Sequence, residues 1–171
     1  MTLLQGFFVY LATMVLGGSV LVVTRRNPVH SVLWMLLVFV HIAILFVFLN
    51  ADFLAAMQII IYAGAVLVLF LFVLMLLDLR APDLERRLQK QWPLGVIVAT
   101  SFLVLFGAIL SRTRTHVEPG MYTVDFIHSE GNVSTVGKVL FSEFLLPFEI
   151  ASLILLVAIL GAVVLAIKKV S

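Results

Sequence analysis

The sequence predicts an all-α membrane protein with five transmembrane helices. Of its 171 residues, 63% are hydrophobic and only 12% are charged, whereas about 25% of residues are charged in a typical soluble domain. Five long apolar runs lack the alternation of polar and apolar residues that a membrane-spanning β-strand would show, so they predict helices. We therefore interpret residues 1–171 as a single integral membrane domain.

The apolar runs set the expected order of the elements. Each is close to the roughly 17–25 residues that a helix needs to cross a bilayer. The predicted spans are residues 4–23, 31–49, 53–77, 94–110 and 145–167, and residues 111–144 form the long connection, an outer loop. The second and third spans are joined by only a few residues and should form a tight antiparallel hairpin. No internal repeat is visible, so the inverted halves of a typical secondary transporter are missing.

The distribution of lysine and arginine predicts the orientation of the helices. The first span has no basic residue before Arg25, so we interpret it as a retained helix and not as a secretion signal. The basic residues after the first, third and fifth spans are Arg25, Arg26, Arg80, Arg86, Arg87, Lys90, Lys168 and Lys169, and those on the other side are Arg112, Arg114 and Lys138. By the positive-inside rule, the N-terminus lies outside (periplasmic) and the C-terminus is cytoplasmic.

Composition also excludes several kinds of site. The chain has no cysteine, so it cannot hold an iron–sulfur cluster, a thiolate metal site or a disulfide. Its net charge of +2 is small and its basic residues are scattered, so no nucleic-acid partner is expected. No spacing of residues supports a metal site, and a glycine-rich segment at residues 131–138 departs from the phosphate-loop pattern.

The third run is unusual for its length. Residues 53–77 carry no formal charge and would form about 37 Å of helix, longer than the ~30 Å hydrocarbon core, so the helix must tilt, bend or bulge. Gln58 and Tyr62 are expected on one face because they are four residues apart. Gly64 would permit a local bulge or rotation. The alternative is close packing of a neighbour on the small residues around Gly64, and composition alone favours it.

Two ionisable residues and one stripe of small residues are further candidates. His41, near the middle of the second span, is either a proton-relay or gating group or a neutral imidazole bonded to a neighbouring helix, and the second interpretation is favoured because no acidic partner is visible. Glu149, near the start of the fifth span, either meets the positive end of the helix dipole or faces a subunit interface. A helix-packing face is predicted at Ala158, Ala162 and Ala166.

The third span and its approach resemble the signature helix of subunit J of the respiratory NADH:quinone oxidoreductase, complex I. The resemblance extends over nearly the whole chain, in the same order. The matching residues are Asn27, Pro28 and Ser31 at the second span, Ala51–Leu77 including Tyr62 and Gly64, and Leu145–Ser152 with Gly161 and Ala162 in the fifth span.

The resemblance implies a non-catalytic subunit of a redox-driven translocase, in the proton-pumping membrane arm. It would be a multi-pass protein of the cell inner (cytoplasmic) membrane, in contact with the lipid bilayer and with membrane-arm subunits of the A, H, K and N types. FMN, iron–sulfur clusters and quinone would be bound elsewhere in the complex, and no direct NADH contact is expected.

In this family the third helix carries a π-bulge that can convert to regular α-helix, which here falls around Tyr62 and Gly64. The hinge interpretation of Gly64 therefore becomes the leading one. Conformational or proton-path candidates are Tyr62, Gly64, Gln58, Glu149 and His41. The alternatives are a purely structural scaffold subunit and, less favoured, an independent transporter.

Overall fold

A computed structural model of the chain describes residues 2–77, 92–112 and 120–167, and all regular structure within these ranges is helical. The helices are α1 Leu3–Thr24, α2 Pro28–Phe48, α3 Asp52–Leu76, α4 Trp92–Arg112, α5 Val124–Glu130, α6 Asn132–Ser142 and α7 Leu145–Ala166. Five of them, α1, α2, α3, α4 and α7, are long and apolar enough to cross a membrane, as predicted. The chain is a multi-pass helical membrane protein.

Capping residues determine where the first two helices begin. At the start of α1, Thr2 and Gln5 form a reciprocal capping box. The second helix begins before its predicted start because Asn27 Oδ1 accepts a hydrogen bond from the Val29 N–H at 2.9 Å, and Pro28 suits the first turn. Both caps give partners to N–H groups that a helix start leaves unpaired.

The first three helices form a bundle with α2 in the middle. α2 contacts α1 along one side and α3 along the other, whereas α1 and α3 do not contact each other. Leu11 of α1 and Val32 of α2 are almost completely buried within this bundle. Gly18 lets these two helices approach closely, because a Cβ at this position would lie only 2.7 Å from Val38 Cγ2.

α4 and α7 stand apart from this bundle. Neither helix buries any of its residues, α4 contacts no other helix in the described part of the chain, and α7 contacts only α6. The predicted packing stripe at Ala158, Ala162 and Ala166 is exposed on α7. Apart from the contact of α7 with α6, these two apolar helices therefore present their surface to lipid or to other proteins.

The segment predicted as an outer loop, residues 111–144, contains two helices of its own, α5 and α6. Thr123 begins α5 by accepting a hydrogen bond from the Phe126 N–H at 3.3 Å, and Gly131 separates the helices with a φ of +85° that favours glycine. The helices are short and amphipathic, so they lack the long apolar run that identified the spans. α6 contacts the start of α3.

The end of the bundle that holds the α2–α3 connection, residues 49–51, is named the turn end here, and the opposite end is named the Arg25 end. The orientation prediction makes the turn end the outer one. Most of the basic residues behind that prediction, including all of those at 80–90 and 168–169, lie outside the described residues. The orientation therefore stays a prediction.

Candidate functional site

The third span contains a π-helical segment, as the sequence analysis predicted. Within α3, the nine residues Gln58–Val66 are π-helical, between α-helical turns at Asp52–Met57 and Leu67–Leu76. The Leu67 N–H donates to the Tyr62 carbonyl, five residues earlier, which is the π-helical pattern. The wide turns absorb surplus residues of a run that is too long for a straight membrane helix.

The π segment changes which residues of α3 face α2. The buried residues are Ala55, Gln58, Ala63 and Leu67, so the step from 58 to 63 is five residues. In a regular α-helix the steps along one face are three or four. An unbroken helix would therefore bury Tyr62 and Val66 in the middle of this face, whereas in this structure both are half exposed and the Tyr62 ring meets Phe39 of α2 edge-on.

Gly64 lies in the π segment at a place where the backbone comes close to itself. A Cβ on this residue would lie 3.3 Å from the Ile59 carbonyl oxygen, five residues earlier. That distance is tighter than nine in ten real Cβ contacts, so a side chain at residue 64 would require the neighbouring backbone to shift by a few tenths of an ångström. Ala63 beside it is buried, and Gly64 and Ala65 are exposed. Within this chain, the small residue that packs against a neighbouring helix is therefore Ala63 and not Gly64.

Gln58 and Tyr62 occupy different environments, contrary to the shared face that α-helical spacing predicts. Gln58 is only 8% exposed, whereas Tyr62 is 50% exposed. The Tyr62 ring meets α2 edge-on at Phe39, with ring centroids 5.9 Å apart. The π-helical turn between the two residues accounts for the difference, because α-helical spacing does not apply within it.

His41 lies at the α1–α2 interface and is held by two contacts. Its Nδ1 is 2.8 Å from the Leu37 carbonyl oxygen, and its Nε2 is 3.5 Å from the Tyr10 hydroxyl. An imidazole with its proton on Nδ1 donates to Leu37 and leaves Nε2 to accept from Tyr10. The sequence analysis did not find Tyr10, because nothing local links residues that are 31 positions apart.

The structure does not bring His41 and Glu149 together with the π segment. His41 contacts α1, whereas α3 packs on the other side of α2. Glu149 is exposed on α7, which contacts neither α2 nor α3. It is also the fifth residue of α7, beyond the first turn, and the helix dipole acts mainly within that turn. The dipole interpretation of Glu149 therefore loses its support.

Comparison with known proteins agrees with this geometry. The family described as NADH-ubiquinone/plastoquinone oxidoreductase chain 6 matches residues 18–165, which include α2, the π segment of α3 and most of α7. The chain belongs to the chain 6 family. The resemblance stated from the third span is thereby confirmed.

Several chain 6 relatives are similar over most of their length. The NADH-quinone oxidoreductase subunit J of Rickettsia conorii is 38% identical over 164 residues, which cover 95% of this chain and 80% of the relative. The NADH-ubiquinone oxidoreductase chain 6 of Marchantia polymorpha is 34% identical, with 95% and 86% covered. The NAD(P)H-quinone oxidoreductase chain 6 of Leptolyngbya boryana is 38% identical, with 95% and 79% covered.

Among the described residues, no group of three or more His, Asp and Glu side chains could hold a metal ion, and the whole chain has no cysteine. The third span of this chain 6 protein carries a backbone irregularity, the π segment of α3.

Proposed function

We propose that this chain is a membrane-arm subunit of a proton-translocating NADH:quinone oxidoreductase, complex I, and that it couples quinone reduction to proton translocation by a conformational change of α3. Family membership supports the assignment to the complex. The single observation that carries the mechanism is the π segment Gln58–Val66, which selects the residues that line the α2–α3 interface.

The proposed change is conversion of the π segment to regular α-helix. The conversion shortens the spacing of the hydrogen bonds from five residues to four. A register change of one residue rotates the following residues by about 100°, since an α-helix has 3.6 residues per turn. Tyr62 then replaces Ala63 next to Gln58 on the face that packs against α2. The π form thus has an apolar methyl group beside Gln58, and the α form would have a phenol.

This exchange gives a physical means of gating water. In the π form, the next buried residue of α3 after Gln58 is the apolar Ala63, which offers no polar group to a chain of water molecules. In the α form, the Tyr62 hydroxyl and the Gln58 amide stand one turn apart and offer donors and acceptors to water. The hydrated path itself would be lined mainly by neighbouring subunits, because α3 faces α2 on one side only.

The rest of the complex supplies the redox chemistry in this proposal. NADH, FMN, the iron–sulfur clusters and the quinone would be bound by other subunits, and the neighbours in the inner membrane would be subunits of the A, H, K and N types. The full exposure of α4 and α7 supports such neighbours, because an exposed alanine stripe in a membrane suits close contact with another helix.

The direct test replaces Gly64 by leucine in the assembled complex. The added side chain meets the Ile59 carbonyl in the π form, so the variant should oxidise NADH with a reduced yield of pumped protons. Gly17→Leu is the matched control, because a Cβ at Gly17 meets nothing within 4 Å. The measurement is the proton yield per NADH in reconstituted vesicles. Normal coupled turnover of the Gly64→Leu complex would refute the hinge mechanism.

A purely structural scaffold subunit is the second candidate, favoured by the exposed faces of α4 and α7. It predicts that Tyr62→Phe and Gly64→Ala leave pumping intact. It also predicts that leucine at Ala158, Ala162 and Ala166 blocks assembly of the complex, because larger side chains keep a partner helix at a distance. Native gel analysis of assembly, together with proton yield, separates the two candidates.

A further inference from the structure

The start of α3 has no cap of its own. Ala51 occupies the N-cap position and its side chain makes no capping hydrogen bond. The preceding residue, Asn50, has a φ of +57°, which makes the tight connection from α2. A helix start leaves four N–H groups without a partner in the helix, so α3 would begin poorly satisfied if only its own sequence were available.

Asn132, the first residue of α6, supplies the missing cap from a distant part of the chain. Its Oδ1 accepts a hydrogen bond from the Phe53 N–H at 3.2 Å, and its Nδ2 donates to the Asn50 carbonyl oxygen at 2.8 Å. These residues are 79 and 82 positions apart. One amide thus bonds both to α3 and to the connection before it, which requires a donor and an acceptor on the same side chain.

The helix that carries Asn132 is itself anchored. Lys138 of α6 forms an ion pair with Glu130 at the end of α5. The Phe141 ring packs edge-on against Phe148 of α7, with ring centroids 5.1 Å apart. Asn132 therefore links α3 to a helix that packs against two other helices, and not to a free loop.

We propose that Asn132 clamps the turn end of α3, so that rotation during π-to-α conversion is confined to the part of the helix beyond the π segment. This inference rests on the proposed function above. A change of the hydrogen-bonding register by one residue in the π segment requires the helix on one side of the segment to rotate relative to the other side. The turn end is held by the two Asn132 bonds and by the short connection from α2, so the segment Leu67–Leu76 rotates and Asp52–Met57 does not.

Distances within the assembled complex test the clamp. The chain has no cysteine, so spin labels can be placed at chosen pairs of substituted, exposed positions. One pair is Val133 with Leu54, across the clamp, and the other is Val133 with Phe72, beyond the π segment. Between resting and turning-over complex, the Val133–Leu54 distance should stay constant. The Val133–Phe72 distance should change by up to about 8 Å, since about 100° of rotation moves the surface of a helix 10–12 Å wide by roughly that amount.

The outcomes separate the clamp from the function on which it rests. A change in both distances would overturn the clamp and leave the conversion standing. Constancy of both distances during coupled turnover would overturn the conversion itself. In Asn132→Ala, the Val133–Leu54 distance should begin to differ between the two states, and proton yield per NADH should fall at least twofold.

Asn27→Ala is the matched control for the clamp. It removes a capping asparagine from the start of α2, at the Arg25 end, and leaves α3 untouched. A purely structural contribution of Asn132 would make the two variants alike in proton yield and in both distances, which would refute the clamp. We expect a lower proton yield in Asn132→Ala and not in Asn27→Ala. We also expect the Val133–Leu54 distance to differ between the two states only in Asn132→Ala.

Discussion

Replacement of Gly64 by alanine should shift α3 away from the π form. An added Cβ would lie 3.3 Å from the Ile59 carbonyl oxygen. That carbonyl approaches residue 64 because π-helical hydrogen bonds join residues five apart. In a regular α-helix the bonded carbonyl is four residues earlier, so the contact is a property of the π form. Alanine at residue 64 therefore destabilises the π form more than the α form.

The size of the shift follows from this contact. Both forms gain the general preference of helices for alanine over glycine, so that preference largely cancels. What remains is a displacement of a few tenths of an ångström in a backbone that cannot move freely. We take the low end of the range for overpacking, about 1 kcal/mol, which corresponds to roughly a fivefold change in the ratio of π to α form.

The assay compares Gly64→Ala with Gly17→Ala in the assembled complex. Both variants exchange a helical glycine for alanine, but a Cβ at Gly17 meets nothing within 4 Å. We expect a lower proton yield per NADH for Gly64→Ala only, and a larger share of complexes with a regular third helix in density maps. A third helix that stays π-helical in every class of particle, with a proton yield equal to the control, would refute the reasoning.

Two further changes test the bundle that supports α3. Gly18→Ala should weaken the α1–α2 interface by about 1 kcal/mol or more, because the new Cβ would lie 2.7 Å from the stiff Val38 side chain; thermal unfolding of the complex should then start at a lower temperature than in Gly17→Ala, and equal transitions would contradict the packing argument. Asn27→Ala should cost about 1 kcal/mol by removing the cap on Val29 N–H, whereas Asn27→Asp keeps the acceptor and should unfold like the native complex. Equal stability of all three proteins would show that the cap contributes nothing.

The sequence was informative wherever a signal is local. Run length predicted the five spans, because the thickness of a bilayer fixes the number of apolar residues required. The excess length of residues 53–77 and the permissive Gly64 predicted an irregular third helix, and the π segment confirms it. The start of α2 was predicted too late because the predicted bounds followed the apolar run, whereas Asn27 caps the helix and Pro28 begins it before that run.

What the sequence did not predict depends on contacts between distant residues. The Asn132 amide and the Phe53 N–H meet across 79 positions, and Tyr10 meets His41 across 31. The prediction that Gln58 and Tyr62 share one face of the helix was wrong for a different reason. Their spacing was interpreted with α-helical geometry inside the one segment where that geometry does not hold. A predicted bulge therefore changes every argument about faces that crosses it.

The two sides of α2 differ in a way that bears on which helix can move. Toward α1, the Gly18 backbone fits against Val38, and Leu11 is completely buried. Such interlocking leaves no second arrangement at low cost. Toward α3, the buried residues before and within the π segment are Gln58 and the small Ala55 and Ala63. The segment proposed to rotate, Leu67–Leu76, buries only Leu67, so the proposed rotation would displace few buried side chains, whereas movement of α1 would disrupt an interlocked face.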